Sequence, residues 1–382
     1  MKYNFDEISD RRNTNSIKWD VKENELPMWV ADMDFKVLTD IQEAIIEAAN
    51  RGSYGYSYPT NKFFEAYHKW WLSRHDLDIP TEHMIYVSGV VSALDSLINH
   101  LTNKGDAILL LAPSYNGFFN VIKNNKRKVV TSDLLYQNED YVIDIVDVEK
   151  KIVDNSVKLT IFCNPHNPTG KIWSKEEIKS FYMICKKHHV IFVSDEIHCD
   201  IVDPGYKYVP ALKVADDIIT LVAPSKVFNL AGLQSAVCVI KDKELRDKMQ
   251  AAFYHDDMGE PNYFVEPATI AAYTKGNDYV DELNQYLLIN KEYIKDFFSR
   301  ELPRLKVVSG HATYLLWIDI SSYHIPSEEF VRELRKETGL FVCEGTLYGE
   351  AGENYIRLNV ATSLANVKEA MNRLKTFLKN KE

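Results

Sequence analysis

A chain of 382 residues, 46% hydrophobic and 26% charged, has room for two or three globular domains and a sizeable core. Its formal net charge of −10 argues against nucleic acid or an anionic membrane surface as the main partner. No apolar run reaches the roughly 18 residues of a membrane span, and residues 1–20 are too polar for a secretion signal, so the chain is expected in the cytoplasm with its five scattered cysteines reduced.

Residues 1–34 read as a polar, irregular arm with one hydrophobic point at 26–31, closed by Asp32-Met33-Asp34. Two tryptophans in it argue that the arm lies along another surface rather than trailing free. A helix is expected over 41–50. Gly52, Gly55 and Pro59 then break the chain into an aromatic loop, SYGYSYP (53–59), ahead of a helix over 61–75 rich in Phe, Tyr and Trp. That loop packs against its own chain or against another subunit; both readings stand.

An α/β pattern begins at Ile85. A short strand reaches Gly89, and a helix follows over 90–101; amides at such a turn are free to bind an anion. Further strands are expected at 107–111, 129–131 and 159–163, with a polar link carrying Tyr141 after the second of these. The fourth strand ends in NPHNPTG (164–170), where two prolines and a glycine leave Asn167 little freedom. After a helix over 175–188 come two β-branched runs, 190–194 and 218–223, which read as buried parallel strands. Another apolar run lies at 233–240, and a helix begins near Lys243.

Composition changes after Gly276. A long helix over 279–301 leads to apolar segments at 312–320, 339–343 and 355–360, with helices over 327–338 and from 364 onward. This reads as a smaller α+β unit. The expected division is 1–48 (arm and part of the small unit), 49–280 (large domain) and 281–382 (C-terminal small domain).

The chemistry gathers where the runs 190–194 and 218–223 end, in Asp195-Glu196-Ile197-His198 and Pro224-Ser225-Lys226. Ligands of open α/β sheets sit beyond such strand ends. A carboxylate that can keep a ring nitrogen protonated, facing a lysine that can form an imine, is the minimal apparatus for pyridoxal phosphate chemistry. Read alone, Asp195 is equally a helix cap, and Lys226 a surface lysine at a helix start. Ser225 and the amides of Val90 and Val91 could serve a phosphate, and Tyr115 could stack on a ring or simply sit at a rim.

Longer motifs decide the matter: FDEISDRRNTNSIKWD (5–20), LPMWVADMDF (26–35), SYGYSYP (53–59), CNPHNPTGKIW (163–173), VSDEIHCD (193–200), APSKVFNLAGLQ (223–234), ATYLLWID (312–319) and YIRLNVA (355–361). With them the chain resembles the fold-type I pyridoxal-phosphate enzymes, and within these the cystathionine β-lyase group of C–S lyases, related to class I/II aminotransferases. The resemblance implies an α/β fold with a large, mostly parallel seven-stranded-sheet domain and a smaller α+β domain. It implies pyridoxal 5′-phosphate as cofactor, with Lys226 as the catalytic Schiff-base lysine, Asp195 at the pyridine nitrogen, Asn167 at the ring oxygen and Tyr115 stacked on the ring. Gly89, Val90, Val91 and Ser225 match the phosphate cradle. Arg357 matches the arginine of the substrate carboxylate, with Ala31 also at the substrate.

Tyr56 aligns with a tyrosine that reaches the neighbouring subunit's phosphate, which implies a homodimer. His198 stands where aspartate aminotransferases have a tyrosine and is grouped with the cofactor residues; Gln234 stands where they have an arginine. The implied reaction is α,β-elimination from L-cystathionine or a related cysteine S-conjugate, giving a thiol, pyruvate and ammonia. An aminotransferase is the second reading, and a regulatory binding protein with residual lyase activity the third.

Overall fold

The apolar runs between residues 84 and 240 form one seven-stranded sheet. The structure is a computed structural model that describes residues 1–379 and 381. The strands are β1 (Met84–Val87), β2 (Ala107–Ala112), β3 (Lys128–Asp133), β4 (Leu159–Cys163), β5 (Ile191–Asp195), β6 (Ile219–Val222) and β7 (Ala236–Val239). Their order is β1-β7-β6-β5-β4-β2-β3. Each neighbouring pair from β6 across to β3 is parallel, while β7 runs antiparallel to both β1 and β6. All residues of β2, β4 and β6 are buried, as expected of a sheet covered on both faces.

Register places the site. Cys163 pairs with Asp195, and Asp195 with Leu221, so β4, β5 and β6 end side by side. Helices hold the sheet from either face. Val90–Leu101 buries Val90, Ala93, Leu94, Leu97 and Ile98, a stripe at helical spacing. Lys175–Lys187 starts at a reciprocal cap, Ser174 accepting from the Glu177 amide and Glu177 from the Ser174 amide.

A second sheet follows the 25-residue helix Asn277–Glu301. It contains β8 (Lys306–Val307), β9 (Leu315–Asp319), β10 (Cys343–Glu344) and β11 (Tyr355–Asn359), in the antiparallel order β8-β9-β11-β10. The arm runs along this sheet. Leu26–Pro27 pairs in parallel with Leu340–Phe341, the Asn359 amide donates to Met28 O at 2.9 Å, and the Asp34 amide donates to Ala361 O at 2.9 Å. Asp34 anchors it further, accepting from Trp19 Nε1 at 2.7 Å, with Arg11 Nη2 at 2.8 Å and Lys18 Nζ at 2.9 Å.

Several elements depart from the sequence expectation. The polar link around Tyr141 is a hairpin (Leu135–Gln137 with Asp140–Val142) and then a helix, Ile145–Asn155. That helix buries only Val148 and Ile152 and is started by Asp144, which accepts from the Val146 and Asp147 amides, so its apolar signal is thin. The segment 339–343 is not one strand: Leu340–Phe341 pairs with the arm and Cys343–Glu344 with β11. In the aromatic loop Tyr56 is fully exposed and Tyr58 is 76% exposed, so the chain does not bury them itself. The five cysteines are free and buried, and among the described residues no helix is long and apolar enough to cross a membrane.

Candidate active site

The segments that leave β4, β5 and β6 are each pinned by their own side chains. After β4, Asn164 Nδ2 donates to Val209 O at 2.9 Å, and His166 Nδ1 meets Thr169 Oγ1 at 2.8 Å. Asn167 is thereby fixed, its amide on Cys163 Sγ at 3.4 Å and its side-chain oxygen accepting from Arg357 Nη1 at 3.3 Å. After β5 the chain turns without forming a helix, so Asp195 caps only a turn, accepting from the Ile197 amide at 3.1 Å. Glu196, fully buried, accepts from Ser194 Oγ at 2.8 Å, from the Ala211 amide at 2.9 Å and from the Tyr208 hydroxyl. After β6, again in a turn and not at a helix start, Lys226 Nζ donates to Ala31 O at 2.7 Å.

Asp195, Asn167, His198, Tyr115, Ser225 and Lys226 line one cavity of about 320 Å³. Ala31 of the arm and Gly89, Val90 and Val91 also belong to its wall. Gly89 has φ of 146°, a conformation a side chain would strain, and it immediately precedes the helix Val90–Leu101. The free amides of that helix start and the hydroxyls of Ser88, Ser92, Ser225 and Ser235 offer neutral donors, and among the described residues Lys226 is the only Lys or Arg in the wall.

Burial pushes the Asp195 carboxyl up to about 7, against the Ile197 amide and the Lys226 charge. Burial also brings the Lys226 amine down to about 8, assisted by Arg357 and opposed by Asp32 and Asp195. His198 is held well below its ordinary value by burial, then by Lys226 and Arg357, so it is a neutral ring at pH 7. Burial raises the Tyr115 phenol. An acid and an amine whose values are moved toward each other across neutrality can exchange protons with a bound reactant.

Ten of the twelve residues singled out in the sequence meet in this wall. Arg357 lies beyond it and reaches it through Asn167; its Nη2 donates to Trp29 O at 2.7 Å. Tyr56 is elsewhere, in a separate cleft with Tyr54, Tyr254 and Tyr263. Cys163, Ser92 and Ser235 also line the cavity and were not foreseen, since a buried thiol and isolated serines carry no signal of their own.

Pyridoxal phosphate fits this wall. The cavity has the size of a small-molecule site, roughly 300 Å³ or more. His198 Nδ1 and Ser235 Oγ are buried without a partner, as is Arg357 Nε just beyond. A buried acid, an amine, a ring face and a neutral anion cradle match the nitrogen, aldehyde, ring and phosphate of that group.

The chain belongs to the class I and II aminotransferase family, whose pattern matches residues 24–374. It is 38% identical to the cystathionine β-lyase PatB of Bacillus subtilis over 98% of this chain and 100% of that one. The fold is shared with a PLP-bound candidate aminotransferase from Clostridium difficile 630, at TM-score 0.95 and 37% identity, covering 98% of this chain and 100% of the other. A PLP-bound C–S lyase from Staphylococcus hominis matches at TM-score 0.93 and 34% identity, covering 98% of each chain.

Proposed function

We propose that this chain is a pyridoxal 5′-phosphate-dependent carbon–sulfur β-lyase acting on L-cystathionine or a related cysteine S-conjugate. The observation that carries this reading is the convergence of Lys226 and Asp195 on one cavity, with Arg357 bonded to its wall. End-to-end similarity to a cystathionine β-lyase supports the choice of reaction.

When bound, the cofactor supplies a sink for the electron pair left at the substrate's Cα. Asp195 would hold the proton of the ring nitrogen, Asn167 and the neutral His198 would flank the ring, and Tyr115 would cover a face of it. Gly89, Val90, Val91 and Ser225 would take the phosphate. The guanidinium of Arg357 takes the α-carboxylate, for which a planar, forked donor is suited, beside Ala31. Lys226, neutral for part of the time, removes the Cα proton. The C–S bond at Cβ then breaks, the thiolate leaves with the bonding pair, and hydrolysis of the remainder gives pyruvate and ammonia.

The exposed Tyr56 finds its use if two chains associate and each lends this tyrosine to the other's phosphate cradle. The pairing of the arm with Leu340–Phe341 supports grouping 1–48 with 281–382 as the smaller unit beside 49–280. Five free cysteines suit the reducing cytoplasm.

The test is to incubate the purified protein with L-cystathionine and no 2-oxo acid, and to assay pyruvate. Pyruvate well above a Lys226→Ala control is expected. Turnover only after a 2-oxo acid is added would mark an aminotransferase instead.

A further inference from the structure

The carbonyl oxygens of the arm segment 29–33 are each taken by a side chain from a distant part of the chain. Trp29 O accepts from Arg357 Nη2 at 2.7 Å, and Met33 O from Asn229 Nδ2 at 2.9 Å. Ala31 O accepts from both Lys226 Nζ at 2.7 Å and the Tyr314 hydroxyl at 2.9 Å. The two carbonyls on either side of Ala31 share one donor atom, although Asp32 O also accepts from Lys18 Nζ at 3.3 Å. Val30 O and Asp32 O both accept from Asn359 Nδ2, at 2.5 and 2.7 Å.

Asn359 cannot be turned around without loss. Its Oδ1 accepts from the Ala361 amide at 2.8 Å, and exchanging O for N would set oxygen against two carbonyls and nitrogen against an N–H. It is 1% exposed, so none of these partners could be replaced by bulk water without opening the site. A planar peptide moves as a unit, so pinning the carbonyls of Val30 and Asp32 fixes the peptide planes before and after the one that carries the Ala31 carbonyl, and so restricts the direction in which that carbonyl points. Asn359 also lies two residues from Arg357 on β11, and alternate strand residues share a face.

We propose that Asn359 is a positioning residue for the base: by gripping Val30 O and Asp32 O it aims the Ala31 carbonyl at Lys226 Nζ, and so orients the amine that removes the Cα proton. This rests on the lyase reading of the site. A neutral amine has two N–H bonds and one lone pair. With one N–H directed to Ala31 O, the lone pair has a restricted arc in which to meet the Cα–H bond. The proton passes to that lone pair while the C–H electrons remain with carbon. The residue that would take the substrate's carboxylate and the residue that aims the base are then neighbours on one strand face.

The experiment compares the unaltered protein, as purified with its cofactor, with Asn359→Ala and Asn359→Ser. Four quantities are read: kcat and KM for L-cystathionine, the primary isotope effect with Cα-deuterated substrate, and hydrogen–deuterium exchange of peptides covering 28–35. A misaimed base costs on the order of 10–100-fold in kcat, because small misplacements of reacting groups are expensive. KM should stay within about threefold, and the isotope effect should rise because proton removal becomes slower than the steps around it. Exchange over 28–35 should quicken while the seven-stranded sheet keeps its protection. The serine variant, able to hold one carbonyl at most, should fall between, and it carries the test if the alanine variant does not fold.

A rise in KM with kcat and isotope effect unchanged would overturn the proposal, as would unchanged exchange over 28–35 in a folded variant. If the unaltered protein makes no pyruvate, the lyase reading fails by itself. Washout of the Cα proton of L-alanine into D₂O would then read the aim of Lys226 in place of the isotope effect, with a fall expected in the variants and equal washout contradicting the role.

Discussion

Arg357 donates to the side-chain oxygen of Asn167 across 3.3 Å, and this bond ties β11 of the four-stranded sheet to the loop that leaves β4 of the seven-stranded one. The second guanidinium nitrogen is spent on Trp29 O, and Nε has no partner. Arg357 is therefore held in place by two neutral oxygen acceptors and by Cys343 Sγ, 3.7 Å from Nη2, while its charge remains uncompensated by any carboxylate at bonding distance among the described residues. That is a site prepared for an anion.

Replacing it by Arg357→Lys keeps a charge but loses the fork and both anchoring bonds. KM for L-cystathionine should rise by about 10–100-fold, with a smaller fall in kcat, since the lost contact is made in ground state and transition state alike. Steady-state kinetics on the folded variant checks this.

Asp195→Asn keeps the shape of the acid and removes its charge. With the ring nitrogen as its proposed partner, a charge that matters most in the transition state is lost, so kcat and kcat/KM should fall together by on the order of 10²–10⁴. The measurement is turnover with cofactor occupancy verified by absorbance. Near-normal turnover would remove Asp195 from the role.

The same residue makes a prediction for the cofactor-free protein. Burial raises its folded pKa to about 7 from an ordinary 3.8, so the folded chain binds a proton there that the unfolded chain has released. The associated stability is present below pH 4 and lost as pH rises through 7. Asp195→Asn should thus be more stable than the unaltered chain at pH 8, by about 2–4 kcal/mol, and the difference should vanish near pH 4. Denaturant titrations at the two pH values measure it.

The arm should show the opposite sign. Burial penalises the Asp34 carboxylate, but Lys18 and Trp19 outweigh it and hold the group below its ordinary value. Its contribution is present above the unfolded pKa near 3.8 and lost as pH falls through the lower folded value. Asp34→Ala leaves the Lys18 ammonium, 1% exposed, with only the longer carboxylate contact, to Asp32 at 3.7 Å, and should cost roughly 1–3 kcal/mol at pH 7. Denaturant titration of the variant at that pH reads the loss.

Much of this was legible in the chain. The runs at 159–163, 190–194 and 218–223 mark β4, β5 and β6 because buried parallel strands need apolar residues on both faces. The polar residues just past each of those strand ends must then share one crevice. The elements that escaped are those whose signal is not apolar. The helix Ile145–Asn155 buries two residues, and the hairpin before it has a mostly exposed strand in Leu135–Gln137. The grip of Asn359 on Val30 and Asp32 is invisible for a different reason: it is a side chain reading a backbone more than three hundred residues away, and backbone acceptors have no letter in a sequence. The placement of β7 between β1 and β6 could not be read from its composition either, since an antiparallel strand buried on both faces reads the same as a parallel one.

Tyr56 supplies a prediction about assembly. If two chains pair and lend Tyr56 to each other, mixing Lys226→Ala chains with Tyr56→Phe chains should give heterodimers in which one site has an intact lysine from one chain and an intact tyrosine from the other, because two-fold symmetry makes such a loan reciprocal. Activity should recover toward half that of an unaltered dimer, provided Tyr56→Phe alone is clearly impaired and exchange is confirmed. No recovery under those conditions would show that each site is built from its own chain.

The most direct measurement is where the cofactor is attached. Borohydride reduction of the protein purified with its cofactor, followed by digestion and mass spectrometry, should find the pyridoxyl group on the peptide carrying Lys226, among the described residues the one lysine lining the cavity with Asp195. Its recovery on any other lysine, or on none in a protein that still turns over, would contradict the account.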